Sequence, residues 1–532
     1  MKRRLAILGN STLFIAISSF ISQLLGFLRD KILSHIYGAG FVLDSYYAAF
    51  RVPEFIYLSV GSFVSSAILV PYFSKKLYED DIKIWFQKLF TTFLLFFIFI
   101  YGIIIIFLPK IISSLYKHSS IDFQRDIVLY GSILLISTLF LSMSSIISSV
   151  AQVKRDFIHV GLAPVLYNLG TIMGIVLLRP FLGITGVCIG VVLGSIMHLC
   201  IQLPEIRKSK LFLGYGKFLL KSFSVSILRE MLSKSIMRTV SLSLSAVTFF
   251  LITYFASLYP AGSITIIAIA FSIQTVFHTL TGVSYATTIL PLLAKEYAEG
   301  NIENFTGILN YNFRNIYIIS LLLTGFLYLF HYEIIFFLFG SGNFNIHDVV
   351  YTGLALFIFS ISLIAQNIIL LMSRSAYAMG DYFLPLFTNF VSALATYVFS
   401  FFLYKYTNTK EWAILAIPIA YSAAQFLSMF LGLLIYNIKY KKTIKTEWLF
   451  MIYGLFTIIV SVKLSKILMN FIYDNFNNVY IMYGLYFVVF WIYILFIYYV
   501  YLKSSNSKLN NSAIYFKNVF WRIVLALLPK RS

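Results

Sequence analysis

Long apolar runs and short polar breaks alternate along the whole chain. Windows of about 20 apolar residues recur about fourteen times, and each is long enough to cross a hydrocarbon core as a helix. They lie near 10–28, 46–73, 86–108, 128–151, 157–178, 181–202, 236–258, 263–290, 314–339, 348–372, 382–404, 412–437, 447–467 and 479–501. Inside these runs apolar residues do not alternate with period two, and the runs are too long for barrel strands. Lipid leaves the backbone no water to bond, so helices are the remaining choice. The expected fold class is an all-α polytopic membrane protein. The first run follows Lys2-Arg3-Arg4 but no small-residue cleavage site comes after it, so it reads as a retained helix.

The pattern also repeats. Tyr37-Gly38-Ala39-Gly40 returns as Tyr259-Pro260-Ala261-Gly262, and Val70-Pro71-Tyr72-Phe73-Ser74-Lys75 as Leu290-Pro291-Leu292-Leu293-Ala294-Lys295. Pro164 and Asn168 return as Pro385 and Asn389. The offset is about 221 residues each time, and a constant offset in a chain with only 11 prolines predicts a duplication. Spans 1–6 form a first lobe (1–202) and spans 7–12 a second (236–438). Six is even, so both copies enter the membrane from one side. They are then two six-helix lobes related by a pseudo-twofold axis along the membrane normal, an arrangement found in transporters. The segment 203–235 carries Arg207, Lys208, Lys210, Lys217, Lys221, Arg229 and Lys234 among leucines and phenylalanines. It reads as a cytoplasmic amphipathic basic linker lying on the membrane surface. Spans 13–14 (439–501) fall outside the repeat, and 502–532 reads as a basic cytoplasmic tail.

Composition sharpens the picture. The chain is 60% hydrophobic and 11% charged, against about 45–50% and about 25% in soluble domains. Its net charge of +21 would fit nucleic acid, but the basic residues are scattered over many loops. With both termini in the cytoplasm, roughly 30 of the 41 Lys and Arg fall in cytoplasmic loops, tails or span ends. The reverse orientation inverts this bias. Topology and anionic lipid therefore account for the charge. Cys188 and Cys200 share one helix about 18 Å apart, too far for a disulfide.

A few charges sit where lipid should exclude them. Arg29 and Asp30 end span 1, Asp44 opens span 2, and Arg51 and Glu54 flank Pro53 within it. A charge at membrane depth costs several kcal/mol, on the order of 2.5–3.5 by insertion scales. Two accounts stand side by side: helix ends at the interface with a structural Arg51–Glu54 pair, or a polar cavity between the lobes. The second copy has no such charges, since the equivalent positions fall near Leu251, Ile266 and Ser272. Arginine's fork suits a phosphate or pyrophosphate through paired, charge-assisted bonds. Asn168, His198, Gln274, His278, Gln366, Asn367 and Asn389 are expected to bond between helices, with a proton-carrying His278 as the sharper alternative. Walker loops, HExxH and Cys/His metal spacings are absent, so the chain reads as a transporter rather than an enzyme.

At these same residues the chain resembles the lipid II flippases of the MurJ/MviN family, within the multidrug/oligosaccharidyl-lipid/polysaccharide exporter superfamily. The resemblance rests on Ser22-Gln23-Leu24-Leu25-Gly26-Phe27-Leu28-Arg29-Asp30, Tyr37-Gly38-Ala39-Gly40, Asp44-Ser45-Tyr46 and Ala49-Phe50-Arg51-Val52-Pro53. Further on it rests on Ala163 to Gly170, His198 to Pro204, Ala256 to Ile264, and Ser373-Arg374-Ser375-Ala376-Tyr377-Ala378. It implies a flippase moving lipid II, a polyprenyl-pyrophosphate-linked glycan, from the inner to the outer leaflet of the bacterial cytoplasmic membrane by alternating access. A flippase for another such lipid-linked oligosaccharide, or a drug/cation antiporter of the superfamily, is the alternative. The implied cavity residues are Arg29, Asp30, Asp44 and Arg51, with Ser22, Gln23, Glu54 and Arg374 as a secondary set. The resemblance implies no cofactor and a monomer among membrane lipids. Coupling to the membrane potential or a monovalent cation stays open. Gln23, Tyr57 and Ser272 stand where family members carry arginine, and spans 7, 11 and 12 hold no deep carboxylate for a cation.

Overall fold

The computed structural model describes residues 2–64, 69–70, 72–74, 82–208, 211–212, 223–407, 412–440 and 463. Every regular element among them is helical. The first lobe holds α1 (Lys2–Tyr37), α2 (Phe41–Ser59), α3 (Ile82–Leu115), α4 (Ile121–Val153), α5 (Phe157–Met173) and α6 (Ile184–Cys200). The second holds α7 (Val225–Ala256), α8 (Ser263–His278), α9 (Ile302–Phe339), α10 (Ile346–Ala378), α11 (Phe383–Thr407) and α12 (Ala416–Lys439). Among the described residues, 9 helices are long and apolar enough to cross a membrane. The 19 residues of α2 hold Asp44, Arg51 and Glu54, which set it apart. The spans expected at 439–501 and the tail 502–532 lie outside the described residues, except Lys439, Tyr440 and Lys463.

The packing carries the duplication. In the first lobe α1 packs on α5, α2 on α4, α3 on α4, α4 on α6 and α5 on α6. Adding six to each label gives the pairs of the second lobe: α7 on α11, α8 on α10, α9 on α10, α10 on α12 and α11 on α12. The repeated asparagines occupy matching places. Asn168 on α5 donates to the Ser22 carbonyl and hydroxyl at 3.0 Å each, and Asn389 on α11 does the same to Ser241. Asn168 also reaches the Pro164 carbonyl at 3.3 Å. Its main task is thus a clasp between helices, since in lipid an unpaired amide finds no water.

Two sequence boundaries shift. One helix was expected over 46–73, but α2 ends at Ser59 and a 3-10 turn follows over Gly61–Val64. At Gly61 a Cβ would stand 2.7 Å from the Ser142 hydroxyl and 2.9 Å from the Tyr57 ring. Close packing on α4 fixes that break, and hydropathy does not register it. Likewise α7 begins at Val225, inside the segment read as linker. Ile227 and Met231 bury against Phe86 and Phe93 of the first lobe.

An apolar core joins the lobes, running from Leu33 and Tyr46 through Ile252 and Ile266 to Phe359. On one face of the protein the lobes interlock. The carbonyls of His35 and Ile36, at the end of α1, accept bonds from Asn343 of the second lobe at 2.9 and 2.6 Å. Gly262 turns into α8 with φ +98°, and a Cβ there would meet the Ala39 carbonyl at 2.7 Å. Only glycine combines that backbone with that approach.

Candidate functional site

The site candidates lie on α1 and α2, the helices that face the lobe boundary. Arg29 sits near the end of α1 and pairs with Asp30, Nε to Oδ1 2.9 Å. Their side chains are 22% and 8% exposed. Arg51 lies midway along α2. Its Nη1 meets Glu54 at 2.6 Å, one turn further on, and its Nε donates to Thr253 of α7 at 2.8 Å. The i, i+3 spacing on a helix brings Arg51 and Glu54 together, and the packing of α2 on α7 supplies Thr253. Each arginine thus holds one carboxylate, which offsets the penalty of burying a lone charge.

Asp44 stands apart from both pairs. It contacts neither arginine in this conformation. Its two oxygens accept bonds from the Gly262 amide at 2.6 Å and from the Thr265 amide and hydroxyl at 2.7 Å each. The amides at a helix start are unpaired and carry a partial positive charge, which a carboxylate neutralises. Asp44 of the first lobe therefore caps α8 of the second. The equivalent residue in the second copy, Ile266, has nothing to offer α2 in return. Asp348, which caps α10 in a capping box with Asn345, lies 3.4 Å from the Ala39 amide just before α2.

The secondary candidates scatter. Ser22 is spent on the Asn168 clasp. Gln23 is half-buried on α1 with no hydrogen bond to a described residue. Glu54 belongs to the Arg51 cluster. Arg374 does not join the arginines of the first lobe, and lines a cavity whose walls belong wholly to the second lobe. Tyr57 bonds Ser145 at 3.3 Å and Ser272 bonds the Ile269 carbonyl of its own helix. Among the other span polar residues, His198 and Gln202 bond Ser144, and Asn367 links His278, Thr281 and Ser320. Gln274 is fully buried with neither amide atom bonded.

Sequence reasoning passed over three groups beside the arginines. The hydroxyls of Tyr46, Tyr47 and Tyr116 are buried and have no hydrogen-bond partner. Tyr46 lies in electrostatic range of Arg29, Tyr47 of both Arg29 and Arg51, and Tyr116 of Arg51. A buried hydroxyl without a partner costs about 1–3 kcal/mol, so such a group calls for water or a ligand. Tyrosine is common in these helices (38 in the chain), which hid the signal. Guanidinium groups and phenol hydroxyls are hydrogen-bond donors, so an anion is what these groups are chemically able to accept.

Comparison with known proteins bears on the family and the fold. The family model described as lipid II flippase MurJ matches residues 33–487. A probable lipid II flippase MurJ of Buchnera aphidicola subsp. Baizongia pistaciae is 23% identical over 441 residues, 79% of this chain and 82% of that protein. A lipid II flippase MurJ of Burkholderia cenocepacia is 23% identical over 396 residues, covering 72% and 76%. Among solved structures, a lipid II flippase MurJ in an inward closed conformation superposes with TM-score 0.75 at 20% identity, over 92% of this chain and 99% of that one. An inward-facing multidrug resistance MATE family transporter of the MOP superfamily superposes with TM-score 0.66 at 17% identity, over 81% and 99%. These two likenesses establish the shared fold, and the family match extends over most of the sequence: the chain belongs to the MurJ family of lipid II flippases.

Proposed function

We propose that the protein moves lipid II from the inner to the outer leaflet of the bacterial cytoplasmic membrane by alternating access of its two lobes. The observation that carries this reading is the pairing of Arg29 with Asp30 and of Arg51 with Glu54 at the lobe boundary. A pyrophosphate offers both guanidinium groups a doubly charged partner in place of the two carboxylates. The hydroxyls of Tyr46, Tyr47 and Tyr116 supply further donors to its oxygens. With the N terminus in the cytoplasm, the interlocked face is the outer one. Release then requires Asp44 to leave the start of α8, where water can replace its three bonds.

Gln23, Tyr57 and Ser272 make this site less cationic than that of relatives with arginine there. Selectivity for a pyrophosphate then rests on Arg29 and Arg51. The membrane potential is the better candidate for energy coupling than a monovalent cation, because no carboxylate lines the second-lobe cavity to balance a bound cation's charge. A drug/cation antiporter would need such a carboxylate too.

The test is complementation of a bacterial strain depleted of its own flippase, with the sidedness of lipid II measured in spheroplasts. The wild-type chain restores growth and outward lipid II. Arg29→Ala and Arg51→Ala abolish rescue at unchanged expression, since a charged hydrogen bond to phosphate is worth about 1.5–3 kcal/mol. Full rescue by both variants would overturn the assignment.

A further inference from the structure

A cavity of about 570 Å³ lies inside the second lobe, walled by α7, α8, α10, α11 and α12. That volume falls in the range of small-ligand sites, about 300–1,000 Å³. Its polar lining includes Arg374, His278, Gln366, Asn389 and Gln425, and no Asp or Glu. Three of these groups are already engaged as donors: Asn389 to Ser241, Gln425 to Ser392 and Gln366 to Ser362. His278 is held through Nδ1 by Asn367 at 2.7 Å. It stands at a π turn, Thr279–Val283, where Gly282 leaves room for the Asn367 side chain. Such π turns recur at functional sites.

Arg374 differs from all of them. Its Nε is buried without a partner, and no ion pair or hydrogen bond joins it to any described residue. Arg29 and Arg51 each have a carboxylate within 3 Å. A buried guanidinium N–H without a partner is unfavourable, and Arg374, just past the apolar run 348–372, lines the cavity with no counter-charge beside it. Among the described residues the lining supplies none.

We propose that this cavity is a second anion site, centred on Arg374, which receives a phosphate- or carboxylate-bearing group. The guanidinium fork takes two oxygens of the anion. The anion comes either from the head of the lipid-linked cargo, which rests on the function proposed above, or from a free inorganic anion.

The test uses the purified full chain carrying Arg29→Gln and Arg51→Gln, so that the site at the lobe boundary is silent. Inorganic pyrophosphate is titrated while thermal unfolding is followed, because a ligand that binds the folded form raises the midpoint. A saturable rise is expected, and adding Arg374→Gln weakens the apparent affinity about tenfold or more. Arg374→Lys keeps the charge and retains part of the response, which separates loss of the site from misfolding. No rise in the starting variant, a rise that Arg374→Gln leaves unchanged, or a response equally lost with lysine overturns the proposal. Complementation by the single variant Arg374→Gln then identifies the source. Impaired rescue points to the cargo, and intact rescue to a free anion. If the wild-type chain fails to rescue at all, the flippase reading falls while an Arg374-dependent response still upholds the site.

Discussion

Asp381 sits in the short loop between α10 and α11, on the face opposite the interlocked one. Burial raises its pKa, but bonds from Lys439 at 2.7 Å and from the Tyr440 hydroxyl outweigh that effect and leave it below the usual carboxylate value. A depressed folded value contributes stability above the unfolded pKa of about 3.9 and loses it as pH falls through the folded one. Asp381→Asn therefore lowers the unfolding midpoint at pH 7, and the difference from wild type shrinks toward zero below about pH 4. Thermal unfolding in detergent across that range measures both. At this scale the sequence was partly legible. Arg29, Arg51 and Glu54 stood out because charge in an apolar run is rare. Thr253 did not, since a hydroxyl that also bonds the Phe249 carbonyl of its own helix looks like ordinary filling. Asp44 was singled out as a charge, but its partners were not legible, because two of its three bonds come from backbone amides and no side-chain pattern announces them.

Helices α5 and α6 come together through glycine. A Cβ on Gly190 would stand 2.5 Å from the Gly174 Cα, and one on Gly194 would meet the Tyr167 carbonyl at 2.3 Å. Small residues at such crossings let backbones touch, and dispersion between them holds the pair where lipid removes the hydrophobic drive. Gly190→Val should force the helices apart, costing about 1–3 kcal/mol as overpacking does. A lower unfolding midpoint measures the loss. Spans of this kind are the most legible elements in the chain, since length and apolarity alone mark them. Their breaks are less so. The end of α2 at Ser59 depends on Gly61 meeting Ser142 of α4, a contact between residues far apart in sequence.

The lobes close one face by completing each other's helix ends. Asn343 of the second lobe bonds the end of α1, and Asp44 of the first bonds the start of α8. Removing the carboxylate with Asp44→Ala frees three donors and shifts the molecule toward opening of that face. A single cysteine at Ala39, with Cys188 and Cys200 replaced by serine, should then react faster with a membrane-impermeant maleimide than in the Asp44 background. Equal rates would show that the cap does not hold the face shut. The two-lobe plan was legible at this scale from the constant offset alone. Its working asymmetry was legible only as charge present in one copy and missing from the other.

The twin clasps, Asn168 on Ser22 and Asn389 on Ser241, bear on history. A bond present in both copies with the same atoms is what duplication of a single unit predicts. A single six-helix unit has no second lobe in its own chain, so a path between lobes would need a second copy of it. Two identical subunits would have carried identical walls. Arg29, Asp44 and Arg51, which occur in one copy only, mark what fusion allowed: two walls free to diverge, one keeping charge and the other free of it at the matching places.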